Sequence, residues 1–159
     1  MDLTATILLA LQSALPLWES RYAIPLAIQG GYPPLAAFVV GFGSNLAVVI
    51  VLLLLLEPVS EFLMAHSRIF ARFFEWLFAR TRRHTERFER WGALALIPFV
   101  AVPLPVTGSW TACAAAFVFG IRFRYALPTI AAGMIVAIAI TTITMLGITS
   151  VSGMFGGNP

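Results

Sequence analysis

Lysine does not occur in this chain of 159 residues, and all ten basic side chains are arginines. Charge of either sign is scarce, at 11% of residues against about 25% in soluble domains, which excludes an ordinary water-soluble globular fold. Cysteine occurs once, as Cys113, so no intramolecular disulfide forms, and its apolar setting indicates no redox role. Aspartate is confined to Asp2 and histidine to His66 and His84. The apolar stretches therefore lack the aspartate pair, the serine with histidine and the metal-ligand cluster that intramembrane hydrolysis needs, and no phosphate-cradling glycine loop occurs. No catalytic residue, metal site or cofactor is expected, and the two histidines read as solvated.

What remains is mostly apolar. With 60% hydrophobic residues and a mean hydropathy of +0.92, the chain reads as an all-α integral membrane protein in one domain, 1–159. The surplus of positive charge is no footprint for nucleic acid. Seven of the ten arginines lie between Glu57 and Trp91, interleaved with five glutamates, a pattern that orients a membrane protein. Leu3 to Leu17 has the length of a secretory signal core. Asp2 replaces the usual basic residue and no small-x-small site follows, so the stretch is read as part of the fold.

From Trp91 to Ile121 the chain carries thirty-one uncharged residues, interrupted by Pro103-Leu-Pro-Val-Thr-Gly108. Each proline removes a backbone donor and clashes with the turn before it, so a helix entering at Trp91 breaks near Pro103. Each arm then reaches roughly 17 Å, about half of a hydrocarbon core roughly 30 Å thick. Arginine flanks both ends, which favours entry and exit by one face. Residues 91–121 are thus expected to form a re-entrant helical hairpin. Irregular backbone at that depth is tolerated where protein buries it or where it lines a wet cavity, so the break marks a site.

Residues 3–34 repeat this grammar, with Pro16, Glu19, Arg21 and Pro25 at the break and a Gly30-Gly31-Tyr32-Pro33-Pro34 turn after it. Residues 35–56 are uncharged and about 33 Å long as a helix, enough to cross. Their Gly41, Gly43, Ser44 and Asn45 are of the kind that let another helix approach. Residues 57–90 place arginine and phenylalanine on different faces, as amphipathic helices on the cytoplasmic surface do. Residues 122–150 form the second span. The whole is an inverted repeat of two units, each a re-entrant hairpin followed by a transmembrane helix, joined by the amphipathic segment. The hairpin tips are expected to meet at mid-depth. Direct residue similarity between the halves is weak.

Glu19 and Arg21 are the only charges between Asp2 and Glu57. An ionisable residue at membrane depth is by default a functional-site hypothesis. Residues i and i+2 do not face one another on a helix, so a direct pair requires broken backbone. One reading makes Glu19 a proton- or cation-linked carboxylate and Arg21 a contact for an anionic group such as a phosphate. The others leave both wet at the outer interface, or joined in a structural ion pair. For the second break, Thr107 and Gly108 either complete a tight turn, with Gly108 needed for its conformation, or open a helix whose free amides face an anion. Trp110 stacks on a substrate or packs in the core. Asn45 either lines the site or joins helices. Thr141, Thr142 and Thr144 line a polar path or bond back to their own helix.

Two stretches, Glu19-Ser-Arg-Tyr-Ala-Ile-Pro25 and Arg90-Trp-Gly-Ala-Leu-Ala-Leu-Ile-Pro-Phe-Val-Ala-Val-Pro-Leu-Pro-Val-Thr-Gly-Ser-Trp110, resemble the small multidrug export protein family, a relative of the DedA and VTT-domain (SNARE-associated) membrane proteins. The resemblance covers nearly the whole chain. It implies an inner-membrane, multi-pass protein with two opposed re-entrant hairpins, and for the wider superfamily transport or flipping of lipids such as polyprenyl phosphates, often linked to proton motive force. Matching motif positions are Glu19, Arg21, Pro25, Pro103, Pro105, Thr107, Gly108 and Trp110. Strict DedA proteins carry a further acidic residue and arginine near the second hairpin, and here that tip is neutral.

The sequence therefore predicts an ion-coupled transporter in the inner (plasma) membrane. Its site consists of Glu19, Arg21, Pro25, Asn45, Pro103, Pro105, Thr107, Gly108 and Trp110. The expected partners are membrane lipid, a lipid-phosphate or amphipathic small-molecule substrate, a proton or cation as coupling ion, and further copies of the chain, because two spans and two hairpins make a thin wall. The alternatives are a scaffold or oligomer subunit that transports nothing, and a channel.

Overall fold

The computed structural model describes residues 3–16, 18–81, 86–102 and 108–155, and these form seven helices with their connections. In chain order they are α1 (Leu3–Ala14), α2 (Glu19–Gln29), α3 (Pro34–His66), α4 (Arg68–Thr81), α5 (Glu86–Ala101), α6 (Ser109–Val118) and α7 (Phe123–Phe155). Of these, α3 and α7 are long and apolar enough to cross a membrane. Pro103, Pro105 and Thr107 lie outside the described residues.

Helix ends fall where local chemistry demands. α1 stops at Ala14, just ahead of Pro16, and α5 at Ala101, just ahead of Pro103. α2 and α6 end alike. Gly31 (φ 86°) and Gly120 (φ 67°) take the left-handed conformation that closes a helix. Tyr32 N–H donates to Ala27 O at 2.9 Å and Gly31 N–H to Ile28 O at 3.0 Å; Ile121 N–H donates to Ala116 O at 2.8 Å and Gly120 N–H to Phe117 O at 3.1 Å. α3 and α7 begin three residues after their respective glycines.

Gly120 follows Gly31 by 89 positions, and that spacing relates much of the fold. On α3 the buried stripe is Ala37, Gly41, Asn45 and Val49; at the same spacing α7 buries Ala126, Ile130, Met134 and Ile138. Ser20 corresponds in this way to Ser109, and Arg21 to Trp110. The packing repeats too. The first short helix of each half lies on its own long helix, α1 on α3 and α5 on α7, while the second reaches the long helix of the other half, α2 on α7 and α6 on α3.

Both long helices are apolar on most faces, so hydrophobicity alone does not separate inside from outside. α3 buries Ala37, Gly41 and Asn45 with Val49, α7 buries Ala126, Gly133 and Ala137 beside Ile130, Met134 and Ile138, and Val39, Val51, Leu54, Leu55, Ile135 and Ile143 face outward. That distribution suits lipid, which supplies no hydrophobic drive between helices and leaves close packing to hold them. A Cβ on Gly41 would meet Ile24 Cγ1 at 2.5 Å, and one on Gly133 would meet Val100 Cβ at 2.7 Å and Ile97 O at 2.9 Å. These glycines mark the closest crossings. Gly43, expected to serve the same purpose, has nothing within 4 Å.

α3 runs ten residues past the uncharged stretch 35–56, through Pro58 to His66. The end of the apolar run marks a change of surroundings, and the helix itself continues with Glu57 and Glu61 exposed. α4 lies against α3 and α6, where Phe74 and Phe78 meet Phe117 edge to face at 6.2 and 5.4 Å between ring centroids. Ile69, Phe70, Arg72, Phe73 and Trp76 remain exposed on it.

Candidate functional site where two broken helices meet

Among the described residues, two apolar clusters form the interior. One gathers Leu9, Ala23, Ile24, Ala37 and Ile138; the other gathers Val49, Ala93, Leu96, Val100, Ala112, Ile130 and their neighbours. Along α3 the order Ala37, Gly41, Asn45, Val49 passes from the first cluster to the second, and the polar Asn45 falls between them. Glu19, Ser20, Arg21, Asn45, Ser109 and Thr141 are all buried there. Asn45 is also the middle of the uncharged run 35–56.

Glu19 opens α2 with φ 48°, in the left-handed region that a side chain enters at a cost of about 1–2 kcal/mol. This is the broken backbone that an i, i+2 pair needs. Arg21 Nε lies 3.6 Å from Glu19 Oε2, with both side chains under 5% exposed. The distance is that of an ion pair, too long for a hydrogen bond. Arg21 Nε and Nη1 are buried without a hydrogen-bond partner, and the guanidinium stands 5.2 Å from the centre of the Tyr22 ring.

The Glu19 carboxylate is directed instead at the start of α6. It accepts the backbone N–H groups of Ser109 and Trp110 and the Ser109 hydroxyl. The first amides of a helix have no partner within it, and the positive end of the helix dipole favours a negative charge, so Glu19 caps α6 from another part of the chain. Gly108 makes the approach possible. A Cβ there would collide with Glu19 Oε1 and lie 2.7 Å from Oε2. Its φ of −179° is ordinary extended backbone, so the conformational need expected for this glycine gives way to a need for room. The start of α6 is closed further by Thr111, whose Oγ1 accepts the Gly108 N–H at 3.0 Å. The free amides expected to face an anion therefore hold one of the protein's own.

Asn45 ties the halves together. Its Nδ2 lies 3.0 Å from Ser20 Oγ and its Oδ1 3.1 Å from Ser109 Oγ. The single Ser109 proton then has two acceptors, Asn45 Oδ1 and the Glu19 carboxylate. Nδ2 donates to Ser20, and the Ser109 hydroxyl is shared between Oδ1 and the carboxylate. Asn45 thus joins helices at the site itself.

Pro25 is fully buried in α2 and lacks the N–H that would bond the Arg21 carbonyl four residues earlier. The Thr141 hydroxyl of α7 fills that gap at 2.6 Å, while also lying 2.8 Å from Ala137 O of its own helix. Trp110 is half-buried, and its indole Nε1 is buried without a partner.

Of the residues singled out from sequence, the structure brings Glu19, Arg21, Asn45, Gly108 and Trp110 together, and Pro25 acts on the group through the Arg21 carbonyl. Thr141, weighed from sequence as part of a polar path or bonded to its own helix, meets both Arg21 O and its own helix, and Ser20 and Ser109 join the group without having been singled out. Ser20 and Ser109 sit inside the two recognised motifs, and the shared spacing of 89 residues would have paired them.

Residues 19–140 match the model of a family described as "Putative small multi-drug export protein". No curated protein and no solved structure matches the chain.

Proposed function

The chain belongs to the small multi-drug export protein family, and on that premise we propose that it is an ion-coupled, multi-pass transporter of the plasma membrane with its site at the meeting of α2 and α6. Glu19 is the coupling carboxylate, Arg21 the contact for an anionic group, and the substrate a lipid phosphate or a small amphipathic anion. One observation carries this reading: a buried acid and a buried, incompletely paired base lie between two interrupted helices. Such groups are costly at membrane depth and characterise transport pathways.

The 89-residue spacing supports an inverted repeat, in which 3–34 and 91–121 enter from opposite faces as re-entrant hairpins. Asn45 at the middle of its apolar run supports a site at mid-depth. The lipid-phosphate substrate rests on the resemblance to the DedA and VTT-domain proteins. A second reading, a scaffold that recruits anionic lipid or a partner, draws on the exposed aromatic and arginine side chains of α4.

The test is transport by purified protein in liposomes. Glu19→Gln and Arg21→Ala are expected to slow movement of a fluorescent lipid phosphate at least about tenfold, the loss of roughly one charge-assisted hydrogen bond. Wild-type rates in both variants overturn the assignment, and absence of flux in the wild type turns the reading toward the scaffold.

A further inference from the structure

Among the described residues, buried polar atoms without a partner occur on Arg21 and Trp110 and on the Ser13 and Thr142 hydroxyls, which can donate or accept. Glu19's oxygens are taken up by Ser109 and Trp110, and the Arg21 carbonyl by Thr141. The atoms left over on Arg21 and Trp110 are Nε, Nη1 and the indole Nε1, and each of these can only donate. Arg21 is 3% exposed, so bulk water does not satisfy it. Arg21 and Trp110 are also the two residues related by the 89-position repeat, one on each interrupted helix. Open donors on a buried cation suit a ligand rich in acceptors.

One acceptor is already seated. The Glu19 carboxylate occupies the start of α6 as a bound oxyanion would, on two backbone amides and a hydroxyl, with a guanidinium 3.6 Å away. It does so from strained backbone, at φ 48°. We propose that the Glu19 carboxylate is an internal stand-in for the transported oxyanion, and that ligand and carboxylate exchange places on α6. This inference rests on the transporter reading and supplies its coupling step. The ligand's oxygens take the Ser109 and Trp110 amides and the open donors of Arg21. Glu19, displaced from its donors and facing the incoming negative charge, takes one proton from water as it leaves. Binding of one oxyanion is thereby linked to uptake of one proton. Among the described residues, Arg21 from α2 is the titratable group whose charge bears on Glu19, Cys113 from α6 is one on which the charge of Glu19 bears, and α3 and α7 face the site with Asn45 and Thr141, which do not titrate.

The shared chemistry is a phosphate- or sulfate-like oxyanion, and three probes separate its sources: sulfate and inorganic phosphate added to protein in phosphatidylcholine nanodiscs, and phosphatidic acid built into the disc. Binding is followed by calorimetry, with folding checked by elution profile. Glu19→Gln, which removes the competing charge, is expected to bind at least one probe about tenfold more tightly than wild type, and Arg21→Gln to lose binding. Repeating the sulfate titration in buffers of different ionisation heat is expected to show uptake of about one proton per ion by the wild type and none by Glu19→Gln, since sulfate does not titrate near neutrality. If only phosphatidic acid binds, the ligand is a lipid headgroup, and its binding takes the place of the sulfate titration for the comparison of variants. Unchanged or weaker binding by Glu19→Gln, no binding of any probe, or no proton uptake overturns the exchange. Intact wild-type transport beside such a result leaves the transporter reading standing and removes only this step.

Discussion

Thr141 on α7 donates its hydroxyl to the carbonyl oxygen of Arg21 on α2 across 2.6 Å, a carbonyl that Pro25 deprives of its helical partner. The contact joins the two halves of the chain at the residue that carries the site's positive charge. Thr141→Val keeps the shape and removes the donor. Interhelical hydrogen bonds in membranes are worth about 0.6–2 kcal/mol, and a loss near 1 kcal/mol in a detergent unfolding titration is the expected outcome. Pro25→Ala returns an N–H to α2, so Thr141→Val should cost clearly less in that background. Equal costs in both backgrounds would show that the orphaned carbonyl is not what Thr141 serves.

The interruptions of the helices and the residues beside them were legible from sequence because charge is rare here and proline in an apolar run has few physical uses. Glu19 and Arg21 followed from the rarity of charge, and Gly108 and Trp110 from their place beside the proline break. Ser20 and Ser109 did not, and Thr141 stood level with Thr142 and Thr144, since serine and threonine in helices usually bond their own backbone, and only tertiary contact shows otherwise. The repeat was obscured for a related reason. What recurs at 89 residues is the register of buried positions and the glycine that ends each short helix, and comparing residue identities between the halves misses a stripe in which Asn45 corresponds to Met134. The end of α3 was invisible because helix continuity outlasts hydrophobicity.

Gly108 faces the Glu19 carboxylate with no space for a methyl group. Its extended backbone suits alanine, so any effect of Gly108→Ala comes from the collision. The variant is expected to push Glu19 off the start of α6, lowering stability by about 1–2 kcal/mol, the usual worth of a helix cap. Glu19→Ala clears the same space, and Gly108→Ala should then add almost nothing. Additive losses in the double variant would exclude the contact as the cause.

Three glycines in the membrane helices rank by what surrounds them. Gly133 abuts Val100 and the Ile97 carbonyl, Gly41 abuts Ile24, and Gly43 abuts nothing within 4 Å. Backbone cannot yield as a side chain can, so Gly133→Ala is expected to be the most damaging, at about 1–3 kcal/mol for overpacking. Gly41→Ala should be milder and relieved by Ile24→Val. Gly43→Ala should be neutral or slightly stabilising, because alanine favours helix by about 1 kcal/mol. Thermal denaturation in detergent ranks the three, and a neutral Gly133→Ala would contradict the close crossing of α5 and α7.

The topology proposed for the second interruption makes a test of direction. The uncharged part of α5 and the whole of α6 are 11 and 10 residues long, about 15–17 Å each, half a bilayer. Trp91 and Phe123 bound the run and are exposed, as are Leu35 at the start of α3 and Ile69 on α4. After Cys113→Ala, single cysteines at these four positions can be labelled with an impermeant maleimide in vesicles of known orientation. Positions 91, 123 and 69 are expected to react from the cytoplasmic face, and position 35 from the opposite one. Labelling of 91 and 123 from opposite faces would make the run 91–121 a kinked span. The two interrupted helices would then no longer enter from opposite sides, and the 89-residue repeat would describe matched packing without inversion.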